Sequence, residues 1–130
     1  MWLSKQNVNI QGSSAVDVGT VTIPGNSLGV YTDMEQRGVP LYSPGGYFWR
    51  PKLGQDLLVI KCGDGGTCAA GTKNAGAPSA LASGEVYIRS DGGTSIWLKN
   101  SGDIILSGNI TVQGNMNVKG SLMINGTPIV

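Results

Sequence analysis

The final thirty residues, SGDIILSGNITVQGNMNVKGSLMINGTPIV, restrict the fold more than any other stretch. Glycine recurs at Gly102, Gly108, Gly114, Gly120 and Gly126, every sixth position without a slip. Two places after each glycine stand Ile104, Ile110, Met116, Leu122 and Pro128. Four places after stand Leu106, Val112, Val118, Ile124 and Val130. Nine of these ten places hold an aliphatic side chain or Met, and the positions between are mostly polar or small. An exact period with a fixed apolar pattern is an internal repeat.

Alternation with period two is the mark of a β-strand with one apolar face. Glycine at a fixed interval breaks each strand, because it turns the backbone without a Cβ clash. Strand and corner in regular succession predict a β-helix or β-prism with two apolar residues per strand facing an axis. Five hexads in one chain make too few coils to bury such a core or to pair both edges. Three chains wound together solve this, each face stacking strands from the three subunits in turn. The expectation is an obligate homotrimer whose prism is a rod about 25 Å long at roughly 4.8 Å per strand. Its core would be Val86, Ile88, Ile96, Leu98, Ile104, Leu106, Ile110, Val112, Met116, Val118, Leu122 and Ile124, with the five glycines as corners. The hexapeptide helix of some acyltransferases is disfavoured: it carries one aliphatic residue per hexad, runs longer, and tends to use a histidine base, which this chain lacks.

Only 13% of the residues are charged and 21 of 130 are glycine, a composition that suits an all-β, turn-rich fold. A net charge of +1 gives no electrostatic footprint for nucleic acid or an acidic membrane. No apolar run reaches the length of a membrane span. The stretch MWLSKQNVNI lacks the apolar core of a signal peptide, so synthesis and folding are expected in the cytoplasm of the producing cell.

Three regions follow. Residues 1–14 read either as a flexible terminus or as an arm that docks on a partner, with Trp2 and Leu3 as anchors; residues 7–10 alternate as a short strand would. Residues 15–84 read as a small barrel of four or five short strands, OB-like by preference. There, 15–23 and 28–34 are strand-like, 33–38 is a charged connection, and 39–42 is a further strand placed at an edge or bulge by Pro40. Residues 56–62 form a continuous apolar strand, and 63–84 a long Gly/Ala loop. Residues 85–130 form the prism: 86–90 and 94–99 alternate around an Asp-Gly-Gly turn and lead into the hexads, with Tyr87, Arg89, Trp97 and Lys99 facing out or onto the barrel.

The stretch SPGGYFWRPKLGQDLLVIK, followed by GEVYIRSDGGTSIWLKNSGDIILSGNITVQG, resembles the central spike of contractile phage tails, the baseplate assembly protein V-like family with relatives in tailocins and type VI secretion. The likeness covers roughly residues 15–130. It implies an OB-fold domain seated on the baseplate hub and a trimeric β-helix pointing at the host. The pointed end would perforate the cell envelope, and the protein would reside in the tail baseplate. On this reading Trp2, Leu3, Tyr47 and Trp49 dock on the hub, and Thr127, Pro128, Ile129 and Val130 form the tip. Many members hold iron at the tip through a His-x-His pair. With no histidine here, that site does not carry over, and the tip is closed by packing or by a separate capping protein.

The catalytic inventory is thin, and no enzymatic activity or cofactor is expected. There is no histidine, GxSxG or phosphate loop, and the carboxylates are scattered at strand ends and turns. Tyr47, Phe48 and Trp49 suit a core or subunit interface better than base stacking, since no basic groove accompanies them. Cys62 and Cys68 read as two reduced thiols or as a loop-closing disulfide; a metal site lacks further ligands. A second function class shares the architecture: a receptor-binding fibre or adhesin tip that recognises surface glycans, for which Trp97 is the only strong stacking candidate.

Overall fold

The computed structural model describes residues 15–129, so Trp2, Leu3, the strand expected over 7–10 and Val130 lie outside the described residues. Eleven strands and no helix are found among them. The chain divides into two compact units between Ala75 and Gly76.

Unit 1 is one six-stranded sheet ordered β3-β2-β1-β5-β6-β4. Its strands are β1 (Val16–Ile23), β2 (Leu28–Tyr31), β3 (Glu35–Val39), β4 (Leu41–Tyr42), β5 (Asp56–Lys61) and β6 (Thr67–Thr72). The first and last members of that order, β3 and β4, are consecutive pieces of chain separated only by Pro40. Proline has no N–H to continue the ladder with β2. Beyond it the chain pairs instead with β6, in parallel, through Leu41↔Ala69 and Tyr42↔Ala70. The Pro40 carbonyl accepts the Ala69 N–H at 2.8 Å. The sheet is therefore curled into a nearly closed barrel.

Alternation along β1 and β5 fills the barrel. Val21, Leu28, Val30, Val39, Leu57, Val59 and Ala69 are buried together, and Leu41 packs against them. This is a core of small, mostly β-branched side chains, as a narrow barrel requires. The neighbours of these residues on the same strands, such as Val16, Val18 and Leu58, face outward and are exposed.

Two expectations for unit 1 are corrected. The charged stretch 33–38 is not a connection, because Glu35–Val39 is strand β3, paired with β2 through Val30↔Gln36 and Tyr31↔Glu35. Glu35 and Arg37 are exposed, so their charge costs the strand little. The segment 63–84 is not one long loop, because it contains β6, paired antiparallel with β5 from Leu57 to Lys61. Its small residues suit the seam where Ala69, fully buried, meets β4.

Unit 2 begins with an antiparallel meander of β7 (Val86–Arg89), β8 (Ser95–Leu98) and β9 (Ile104–Ser107). The register aligns Val86, Leu98 and Ile104 in one row and Ile88, Ile96 and Leu106 in another. Residues 108–121 then carry no strand pairing. The chain ends in the hairpin β10 (Leu122–Ile124) and β11 (Thr127–Ile129), closed by Asn125 at φ 51° and Gly126 at φ 76°. Two consecutive positive angles at an Asn-Gly pair are the type I′ turn that suits twisted hairpins.

Candidate functional site

The parity of β7, β8 and β9 puts six expected core residues on one face: Val86, Ile88, Ile96, Leu98, Ile104 and Leu106. Within a single chain nothing covers this face, and all six are exposed. Beyond it the exposure is general. Every described residue from Asn100 to Ile129 is exposed, apolar hexad residues included. Ile110 retains 61% of its free surface and Met116 64%. Val112, Val118, Leu122 and Ile124 are exposed as well. An apolar surface this extensive is more than a soluble monomer commonly exposes. A groove of about 490 Å³ runs along the same face, lined by Ile88, Ile96, Leu106 and Ile110 with Ser and Thr at its rim.

The hexad glycines fall into two geometries. Gly108, Gly114 and Gly120 share φ values of 136°, 131° and 139°, a region open to glycine and strained for any other residue. Gly102, at φ 91°, closes the β8–β9 turn, where its N–H donates to the Lys99 carbonyl at 3.0 Å. Gly126 belongs to the terminal hairpin, alongside Thr127, Pro128 and Ile129 of the expected tip. Pro128 lies opposite Met123 there. No ladder partner is assigned to the segments carrying Ile110, Val112, Met116 and Val118.

The opposite face of the meander is occupied by its own side chains. Tyr87 meets Trp97 edge to face at 5.6 Å, and Lys99 Nζ lies 4.9 Å above the indole ring. The indole N–H donates to Glu85 Oε1 at 3.2 Å. The same carboxylate accepts the backbone N–H groups of Ala82 (3.0 Å) and Asn100 (2.9 Å). These backbone bonds hold the Glu85 carboxyl below its ordinary value against the cost of desolvation, with Trp97 and Lys99 assisting. Arg89 is tied by donation to the Gly76 carbonyl at 3.0 Å.

In unit 1, the loop between β4 and β5 forms one wall of a cavity of about 640 Å³, together with Leu28, Val39 and Leu41. Tyr47 and Trp49 both line it, and Phe48 between them is 99% exposed. Sequence reasoning selected Tyr47 and Trp49 for docking and passed over Phe48. An aromatic triplet between Gly-Gly and Arg-Pro, with no alternation to bury one member, was the available signal.

Among the described residues no three His, Cys, Asp or Glu side chains cluster to hold a metal ion. No helix among the described residues is long and apolar enough to cross a membrane. Cys62 and Cys68 are free thiols, both half-buried. The chain matches no known family model and no curated protein.

Proposed function

We propose that this chain is the structural central spike of a contractile phage tail or phage-like injection particle, built as a homotrimer and mounted on a baseplate hub. One observation carries the reading: from Asn100 to Ile129 a glycine-punctuated chain leaves all of its Ile, Leu, Val and Met side chains exposed to water. Full burial of one such side chain contributes about 1.5–3 kcal/mol. Three chains sharing an axis bury them together and give a ladder partner to the segments that lack one.

The corner geometry supports this prism. Three successive glycines with nearly the same φ repeat the same backbone step every six residues. The barrel supports the mount. Counting β3 and β4 as one strand, unit 1 has five strands, with the parallel pair joining the third to the last. That order suits the five-stranded Greek-key barrel of the OB type. The exposed Tyr47, Phe48 and Trp49 are then the surface that seats on the hub.

Such a spike transmits the force of contraction to the host cell envelope and catalyses nothing. Stiffness comes from the ladder, since bending breaks many hydrogen bonds at once. The Asn125-Gly126 hairpin is the leading end, closed by apolar packing or by a capping protein. The glycan-binding fibre is the weaker reading, because Tyr87 and Lys99 already engage the Trp97 ring and Glu85 its N–H.

Light scattering on the purified full chain, paired with a glycan-array screen, tests the proposal. The expected result is a trimer that retains no glycan. A folded monomer at micromolar concentration sinks it, and a trimer with specific glycan binding transfers the chain to the fibre reading.

A further inference from the structure

The β5–β6 hairpin carries a pair of thiols for which the assembly reading has no use. Its turn is tight: Cys62 N–H donates to the Gly66 carbonyl at 2.8 Å, and Gly65 N–H donates to the Cys62 carbonyl at 3.1 Å. Gly65 sits at φ 89°, as the left-handed residue that ends a three-residue hairpin loop does. Pairing then runs Lys61↔Thr67 and Ile60↔Cys68. The two-residue side-chain period places Cys62 and Cys68 on the same face of this ribbon, diagonally across it and two rungs apart. The Cys62 thiol feels that of Cys68, and both residues are half-buried, open to a small reagent.

We propose that Cys62 and Cys68 are a disulfide-forming site that clasps β6 to β5. The oxidant is a low-molecular-weight disulfide such as oxidised glutathione. Cys68, as thiolate, attacks one glutathione sulfur; the glutathione S–S bond breaks and one glutathione thiolate leaves. The Cys62 sulfur, after losing its proton to solvent, attacks the Cys68 sulfur of the mixed disulfide and expels the second glutathione. Two protein S–H bonds are replaced by one S–S bond, and one glutathione disulfide is reduced to two thiols that take up the two protons. The Cys62 thiol is pushed above its ordinary value, chiefly by the hydrogen bond with Cys68 and also by burial, which suits it to the second step.

The place in the fold gives the bond its consequence. On its far side β6 is held by the short strand β4 alone, through Ala69 and Ala70, immediately after Cys68. A covalent link at Cys68 fixes the start of β6 to the end of β5, beside the seam where the barrel closes. Reduction leaves that end of the β5–β6 ribbon to its hydrogen bonds.

The test uses the full chain, purified under reductant and then exchanged into oxidised glutathione. The expected result is a mass lower by about 2 Da, no thiol titrating after denaturation, and no cross-linked chains on a non-reducing gel. The melting midpoint should rise by roughly 5 °C and return when a phosphine reductant is added. Cys62→Ser and Cys68→Ser should each take up a single glutathione instead. Stable glutathione adducts on the unaltered chain, disulfides between chains, or two persistently free thiols overturn the site. A bond that forms without raising the midpoint overturns the clasp.

Discussion

Glu85 and Trp97 are joined by a 3.2 Å hydrogen bond from the indole to the carboxylate, which ties the turn entering unit 2 to the middle strand of its sheet. Asn100 closes the loop from the other side, with its side-chain amide donating to the Ser83 carbonyl at 2.9 Å. The bonds are made to the ionised form of Glu85, whose carboxyl lies below its ordinary 4.5 in the folded chain. A depressed carboxyl stabilises the fold above its unfolded value and stops doing so as pH falls through its folded value. Glu85→Gln should therefore lower the melting midpoint near about pH 7 and flatten its decline below about pH 4.5. Midpoints of both proteins measured across that range by circular dichroism check this; parallel curves refute it.

Val112 tests the shared interior. Val112→Asp would place three carboxylates around one axis, and each unpaired buried charge costs several kcal/mol. The trimer should dissociate at micromolar concentration, while Thr111→Asp at the adjacent position should leave it intact. Light scattering reads both, and a trimeric Val112→Asp protein contradicts the packing.

The corner glycines should differ in a set order. Around Gly114 a Cβ meets nothing within 4 Å, so Gly114→Ala suffers only backbone strain, on the order of 1–3 kcal/mol. At Gly108 the added Cβ would lie 2.8 Å from Thr94 Cγ2, so contact adds to strain. Gly108→Ala should be the less stable of the two, and combining it with Thr94→Ser should recover part of the difference. Urea midpoints decide the order.

In the barrel, Leu57 is 1% exposed at the centre of the core. Leu57→Ala should cost about 2–5 kcal/mol by leaving a cavity. Leu58→Ala, one residue on and half exposed, should cost less than about 1 kcal/mol. Denaturation followed by Trp fluorescence separates the two.

The residues differ in how openly they announced these roles. Alternation over Val86 to Ile88 and Ile96 to Leu98 fixed which side chains share a face, because strand parity is local. Strands β3 and β6 were obscured for the opposite reason. Glu35 and Arg37 look like loop residues until β2 is known to lie beside them, and Thr67–Thr72 looks like filler until Ala69 is seen pressed into a seam. Gly102 and Gly126 share the spacing of the other three glycines, so period alone could not assign them to hairpin turns. The Asn before Gly126 is the local sign that it closes a turn. Phe48 escaped because an aromatic triplet without alternation does not say which of its rings is left facing water.

Gly108, Gly114 and Gly120 repeat one backbone step with a fixed stride. In the proposed prism, reach along the axis is therefore a whole-number quantity, set by how many strides the gene encodes. Duplicating or deleting six residues between Gly108 and Gly120 would lengthen or shorten the shaft by one rung and leave both ends as they were. An odd-numbered slip would turn the aliphatic row outward from that point on, and an even one that is not a multiple of six would misplace the glycine corners.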